Sequence, residues 1–337
     1  MYPLLRRALF VLEPERAHAV ALASLRLAYR LGLKRQGGED PCAGVSLMGL
    51  RFANRIGLAA GFDKNARHVD ALGSLGFGFI EAGTVTPRAQ SGQPKPRLFR
   101  LPGSQALINR MGFPNEGADA IAGHLAKRRF PGVCGVNIGK NASTALTEAV
   151  DDYVSCYRTV APHADYVAVN VSSPNTKDLR RLQQVGHLRP ILEALLRERE
   201  RLHSDRSRHV PLLAKVSPDL TLEDLGAIAE LLLELRIDGV IATNTTVRRP
   251  PGIDAVATQE GGLSGEPLRP FALQAIRTLR SVVADRLTVV GVGGIGSAAD
   301  ARNAFEAGVD LVQIYTALIY RGPGLVSELR AVRKMEQ

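Results

Sequence analysis

Tryptophan is missing, and aromatic residues of all kinds make up only 5% of the 337 positions. So thin an aromatic set argues against a protein that grips single-stranded nucleic acid by stacking its bases. Cysteine is scarce too. Cys42, Cys134 and Cys156 stand far apart, with no C-x-x-C pair and no histidine at ligand spacing, so neither a disulfide framework nor a zinc site is indicated, and a reducing compartment is expected. No apolar run approaches the ~20 residues that a bilayer-crossing helix needs, and no small-residue cleavage site follows an apolar core. Neither a transmembrane helix nor a signal peptide is expected. Low-complexity tracts and tandem repeats are absent as well.

What is present suits a soluble globular chain: 45% hydrophobic and 23% charged residues, in a length that fits two average domains or one large barrel with an appendage. The net charge of +10 is unevenly spread, because residues 1–35 hold seven basic residues against two acidic ones. Within that segment, Leu4, Leu5, Ala8, Leu9 and Leu12 fall at helical spacing from Tyr2 to Leu12. Pro14 then breaks the run and opens a second Ala- and Leu-rich helix, roughly Glu15 to Leu33. Two uses fit such a pair: an amphipathic anchor lying on a membrane surface, or a helical cap packed on the body with arginine on its wet face. A Gly-containing linker, Gln36 to Pro41, and a small hairpin around Gly49 follow.

From there a rhythm sets in. Apolar, strand-like runs recur at Ile56–Ala60, Phe79–Ala82, Val133–Ile138, Tyr166–Val171, Pro211–Val216, Gly239–Thr243, Leu287–Val292 and Leu311–Tyr315, with helix-like segments between most of them. Eight alternating units are the count of a (β/α)8 TIM barrel, here an α/β fold with a small N-terminal two-helix extension. The division expected is residues 1–40 for the helical segment and 41–337 for the barrel. The interval from about 84 to 115 reads as an insertion over the barrel mouth. Polar residues collect where the runs end, and barrel enzymes place their chemistry at that carboxyl face. The fourth run is the most pointed case: Tyr166 to Val171 ends abruptly in Ser172-Ser173-Pro174-Asn175-Thr176, where Pro174 stiffens the turn.

Gly291-Val292-Gly293-Gly294-Ile295-Gly296 satisfies G-x-G-x-x-G. A dinucleotide unit, however, wants an acid at the far end of the next strand, and Asp310 precedes that strand. Glycines after strand seven, followed by a small polar turn after strand eight, fit instead the phosphate cradle of a barrel.

Seven stretches taken together, among them Leu58-Ala59-Ala60-Gly61-Phe62-Asp63-Lys64, Asn109-Arg110-Met111-Gly112-Phe113, Asn137-Ile138-Gly139-Lys140 and Asn170-Val171-Ser172-Ser173-Pro174-Asn175-Thr176, resemble the dihydroorotate dehydrogenases over nearly the whole chain. Serine at Ser173 and the opening Pro14-Glu15-Arg16-Ala17-His18 resemble the quinone-linked, membrane-associated class 2. The resemblance implies oxidation of (S)-dihydroorotate to orotate in pyrimidine biosynthesis. Ser173 would remove the C5 proton with Thr176 in its relay, the C6 hydride would go to the flavin N5, and a membrane quinone would take the electrons. It implies FMN contacts from Ala60, Gly61, Lys64, Thr84, Asn137, Asn170, Lys215, Thr243, Gly265, Gly294, Tyr315 and Thr316. Substrate would be held by Lys64, Asn109, Arg110, Met111, Gly112, Phe113, Asn170, Asn175, Asn244 and Thr245. Quinone would meet His18, Arg100 and Tyr315. Peripheral attachment to an anionic membrane surface, on the cytoplasmic face, completes the expectation; no metal, nucleic acid or obligate protein partner is indicated. The residue types agree, since asparagines pair with the edges of a planar amide-rich anion and lysine balances its carboxylate. Lys215, a lysine among Leu213, Ala214 and Val216, is costly to bury without a task.

Two rivals carry different chemistry. A flavin barrel acting on a tRNA base would use the basic charge but favours a cysteine acid, and neither Cys134 nor Cys156 sits in a comparable turn. A non-catalytic nucleic-acid scaffold would need unopposed basic segments, whereas Arg197 to Arg208 is interleaved with Glu198, Glu200 and Asp205.

Overall fold

The computed structural model describes residues 2–33, 44–206, 209–253 and 258–332. The linker read at Gln36 to Pro41, with Cys42, lies outside the described residues. Helices α1 (Tyr2–Val11) and α2 (Pro14–Arg30) come first. Pro14 supplies the fixed φ of a first helical turn, and the Glu13 carboxylate accepts from the backbone N–H groups of Glu15 and Arg16. A hairpin of β1 (Val45–Leu47) and β2 (Leu50–Phe52) follows.

Eight parallel strands then close a barrel: β3 (Ile56–Leu58), β4 (Phe79–Val85), β7 (Val133–Ile138), β8 (Tyr166–Asn170), β9 (Leu212–Val216), β10 (Gly239–Ala242), β12 (Thr288–Val292) and β13 (Leu311–Ile314), in an order that returns from β9 to β10. The eight runs read from sequence are these eight strands. The first is shorter than read, ending at Leu58, because Ala59 and Ala60 already turn into the loop that carries Gly61 to Lys64. The second is longer, so that Thr84 lies within the strand.

Between the second and third barrel strands, β5 (Leu98–Leu101) and β6 (Ala106–Asn109) pair antiparallel, and β11 (Gly262–Gly265) adds to β6 to make a three-stranded sheet over the mouth. The strand β11 is legible only once β6 is in place, since two of its four residues are glycine and it reads alone as a turn. Helices α3 (Val69–Gly73), α4 (Ala118–Leu125), α5 (Ala149–Val160), α6 (Val185–Arg206), α7 (Leu222–Glu234), α8 (Arg269–Val283) and α9 (Ala298–Glu306) cover the barrel. The last unit is closed by α10 (Thr316–Arg321) and α11 (Gly324–Arg330). In α7, Leu225, Ile228, Ala229 and Leu232 are buried at helical spacing, while the Thr221 hydroxyl caps it by accepting from the Asp224 N–H.

The lower barrel interior is apolar. Phe52 of the hairpin meets Phe79 edge-to-face, and Tyr166, Leu213, Ile241 and Val290 complete that cluster. Gly135 is required here, because a Cβ on it would stand 2.0 Å from the Tyr166 ring. The N-terminal pair sits against the mouth: the Tyr2 hydroxyl donates to the Ile319 carbonyl, Arg6 donates to that of Tyr320, and Glu15 pairs with Arg97 at 2.9 Å. On its other side Leu4, Val11, Leu27 and Leu31 are each more than half exposed.

Candidate active site

One cavity opens at the carboxyl end of the barrel, between the strand ends, the β5–β6–β11 sheet and α2. Its floor is polar. Lys215 projects from β9 into the interior, and Asn170 sits beside it in register on β8. The Asn170 Nδ2 donates to Thr84 Oγ1 and to Asn137 Oδ1, both at 3.0 Å, and Thr84 donates to the same Asn137 oxygen at 2.6 Å. All four side chains are buried.

The turn after β8 supplies one wall. Ser173 is only 5% exposed yet lines the cavity, and its Oγ accepts from the Asn175 N–H at 3.3 Å. Asn170 Oδ1 accepts from the N–H and hydroxyl of Ser172 and from Asn244 Nδ2; Asn244 Oδ1 in turn accepts from the Thr245 N–H at 2.8 Å. Across the cavity, Asn175 Nδ2 donates to Asn109 Oδ1 at 3.0 Å. Four amides and a hydroxyl thus converge above one ammonium. Arg180 ties the two catalytic-face loops together, donating to the Ser172 and Thr245 carbonyls while pairing with Asp219 at 2.8 Å.

The other wall is a backbone cradle. Gly265, Gly293 and Gly294 all hold positive φ, and Thr316 shares a hydrogen bond of 2.8 Å with Ser264. Only glycine fits at Gly294, where a Cβ would lie 2.7 Å from the backbone of Arg269. The loop after β3 brings Ala60, Gly61 and Lys64. Asp63, buried, holds that loop by accepting from the N–H groups of Arg67 and His68. Lys64 donates to the Gly61 carbonyl at 2.8 Å. Burial, above all, pushes its ammonium down to about 8, against the pull of Glu15.

Most of the residues expected from sequence line this one cavity: Ala60, Gly61, Lys64, Thr84, Asn109, Met111, Gly112, Phe113, Asn170, Ser173 and Asn175, with Lys215, Thr243, Asn244, Thr245, Gly265, Gly294, Tyr315, Thr316 and His18. Four do not. Asn137 lies one layer below, holding Thr84 and Asn170. Arg110 turns away, toward Gln259, Glu260, Pro96 and the Phe99 ring, because strand alternation at the end of β6 sends Asn109 inward and its neighbour outward. Thr176 is buried behind the wall, its hydroxyl without a partner among the described residues. Arg100 lies at the N-terminal helices, 4.4 Å over the Phe10 ring and donating to the Phe10 and Leu12 carbonyls. From α2, His18 meets Phe62 at 4.9 Å between ring centres, and Phe62 meets Tyr315 at 5.3 Å, so aromatic contact runs from the helical pair to the cavity.

Sequence reading missed two groups beneath the floor. Glu81 of β4 and Gln313 of β13 are fully buried inside the barrel, and Glu81 stands 3.6 Å from the Lys215 ammonium. Among the described residues no group of three or more His, Cys, Asp or Glu could hold a metal ion.

The donor set suits a flat heterocycle bearing a phosphate. Lys215 stands beyond direct hydrogen-bond length from Glu81, leaving its ammonium for an acceptor above. Gln313 lines the cavity with a buried Oε1 that lacks a partner among the described residues, and the glycine turns offer backbone N–H groups. The class that emerges is that of flavin-using (β/α)8 oxidoreductases.

Within it the chain belongs to the dihydroorotate dehydrogenase family, whose model matches residues 42–334. It is 52% identical to the dihydroorotate dehydrogenase (quinone) of Bordetella avium, over 97% of this chain and 95% of that one. It is 48% identical to the protein of the same name from Nitrosospira multiformis, over 98% and 95%. The crystal structure of dihydroorotate dehydrogenase from Eimeria tenella in complex with ferulenol superposes with a TM-score of 0.88 at 36% identity, covering 95% of this chain and 90% of that one.

Proposed function

We propose that this protein oxidises (S)-dihydroorotate to orotate, a step of pyrimidine biosynthesis, with FMN as its flavin and a membrane quinone as final acceptor. The observation that carries the reading is Ser173, a buried hydroxyl facing a cavity ringed by Asn109, Asn175, Asn244 and Thr245. Those groups supply amide donors and acceptors for the edges of a ring such as dihydroorotate, and Lys64 supplies the counter-charge for its carboxylate.

Bound FMN would serve as the hydride acceptor. Ser173 acts as the base at C5. Thr176, three residues on, would pass that proton outward through water, a role supported by a buried hydroxyl that has no partner among the described residues. Lys215 faces the floor, where a positive charge favours the electron-rich edge of a flavin. Gly265, Gly294, Tyr315 and Thr316 would hold the phosphate end, and Ala60, Gly61 and Thr243 would line the ring.

Residues 1–40 serve as the quinone entrance, with His18, Arg100 and Tyr315 along the route, and 41–337 as the catalytic barrel. No helix among the described residues is long and apolar enough to cross a membrane. The exposed leucines and the local basic charge support attachment to an anionic surface instead, peripherally, at the cytoplasmic face. An anaerobic titration tests the chemistry: dihydroorotate should bleach the flavin band of the purified protein, and a colourless protein that FMN cannot reconstitute sinks the reading. Removing residues 1–35 should then spare flavin reduction but abolish turnover of a long-tailed quinone and binding to anionic vesicles. A folded truncation that keeps both refutes the helical assignment.

A further inference from the structure

A carboxylate sealed into a barrel interior needs partners and a reason. Glu81 is 0% exposed and receives only donors. Asn137 Nδ2 donates to its Oε1 at 2.8 Å, and the Lys215 ammonium stands 3.6 Å from the same oxygen. The Tyr166 hydroxyl and Gln313 Nε2 donate to its Oε2 at 3.0 and 2.7 Å. The Tyr166 phenol is pushed well above its ordinary value, by burial first and then by the Glu81 charge, which keeps it a donor.

A carboxylate can only accept, and that sets a direction for everything above it. Asn137 must turn its NH2 toward Glu81, so its Oδ1 is the end offered upward, where it accepts from Thr84 and Asn170. Asn170 therefore spends its NH2 below and presents Oδ1 above, accepting from Ser172 and from Asn244 Nδ2. Asn244, its NH2 committed, presents Oδ1 to the Thr245 N–H. Three amides, each free in isolation to lie either way, are thus fixed in one sense from the barrel floor to the substrate wall.

Resting on the flavin assignment above, we propose that Glu81 is the positioning residue of this site: its charge sets the donor and acceptor polarity of Asn137, Asn170 and Asn244, and it anchors Lys215 beneath the flavin. A second consequence follows from the pair itself. With Glu81 in place the floor carries an ion pair and not a net positive charge, so the preference of the floor for electron-rich, reduced flavin is held down.

Three variants, each followed by thermal melting of the apoprotein, separate the two roles. Glu81→Gln keeps an acceptor for Asn137, while Gln313 can turn its oxygen, unpartnered among the described residues, to the new amide. It should hold flavin yet favour the reduced over the oxidised form about tenfold more than wild type, which for a two-electron couple is a rise of about 30 mV in reduction potential. Asn137→Asp sets two carboxylates against each other and should weaken flavin binding by about a hundredfold, read by recovery of flavin fluorescence quenching on reconstitution. Glu81→Gln with Asn137→Asp moves the acid across the same hydrogen bond, and should recover at least tenfold of that loss and return the potential toward wild type. An unchanged potential in Glu81→Gln overturns the electrostatic part, and a double variant no better than Asn137→Asp alone, in folding or flavin affinity, overturns the polarity relay. A wild-type protein that binds no flavin would instead defeat the functional assignment, a separate outcome seen before any variant is made.

Discussion

His18 makes the docking of α2 pH-sensitive, with a sign and size that follow from its surroundings. Its Nε2 lies 2.8 Å from the Phe62 carbonyl, which can only accept, so that nitrogen carries the proton of a neutral ring. The ring packs edge-on to Phe62 at 4.9 Å. Burial first, then the charges of Lys64 and, more weakly, His68, push its pKa down to about 3 from 6.5, although the hydrogen bond to Phe62 pulls the other way. A value depressed in the docked state means that docking is at full strength above about 6.5 and weakens as pH falls toward about 3. Each pH unit in that window costs about 1.4 kcal/mol, a tenfold change in the docking equilibrium. Glu13 is held below its usual range in the cap of α2, but burial lowers His68 and raises Asp63 in the loop after β3, so comparison with a His18 variant, and not the interval itself, isolates the histidine. Hydrogen exchange of the α2 amides, referenced to barrel-strand amides, should show the opening constant rising about tenfold between pH 6 and pH 5. His18→Gln, which can still donate to Phe62, should flatten that slope and leave flavin reduction by dihydroorotate untouched. Equal slopes in the two proteins would refute the reasoning.

Ser173→Ala should slow flavin reduction by ~10²- to 10⁴-fold at saturating dihydroorotate with flavin still bound, the usual scale of general-base catalysis, in a stopped-flow experiment; a wild-type rate would return Ser173 to a turn residue. Gly294→Ala must place a Cβ 2.5 Å from that of Arg269 in a backbone held at φ +71°. Flavin affinity should fall by tenfold or more, by reconstitution titration, with an unchanged affinity showing that this turn does not bear on the phosphate.

The barrel was legible because its strands are buried on both faces and so spell themselves out as unbroken apolar runs closed by polar turns. The site's rim was legible for the same reason: side chains such as Ser173 and Asn244 stand where those runs stop. Arg110 shows the limit of reading a motif as a block. It sits in sequence between two residues that bear on the cavity, yet its guanidinium serves the outer loop, because contiguity along a strand end alternates faces.

Glu81 and Gln313 show a different limit. Each interrupts an apolar run, Phe79-Ile80-Glu81-Ala82 and Leu311-Val312-Gln313-Ile314, in the way Lys215 interrupts its own. The reasoning that marked Lys215, that a polar group on a strand buried on both faces must have a task, applies unchanged to both. What no single run can disclose is that the lysine and the acid are partners, since they lie on strands that are not neighbours in the barrel and face one another across its interior. A strand reveals that its inner face is polar; only closure of the sheet decides which charge answers it. The polarity of Asn137 and Asn170 depends on that answer, so the amides that sequence marks as binding groups acquire their donor and acceptor ends from a residue it gives no reason to join to them.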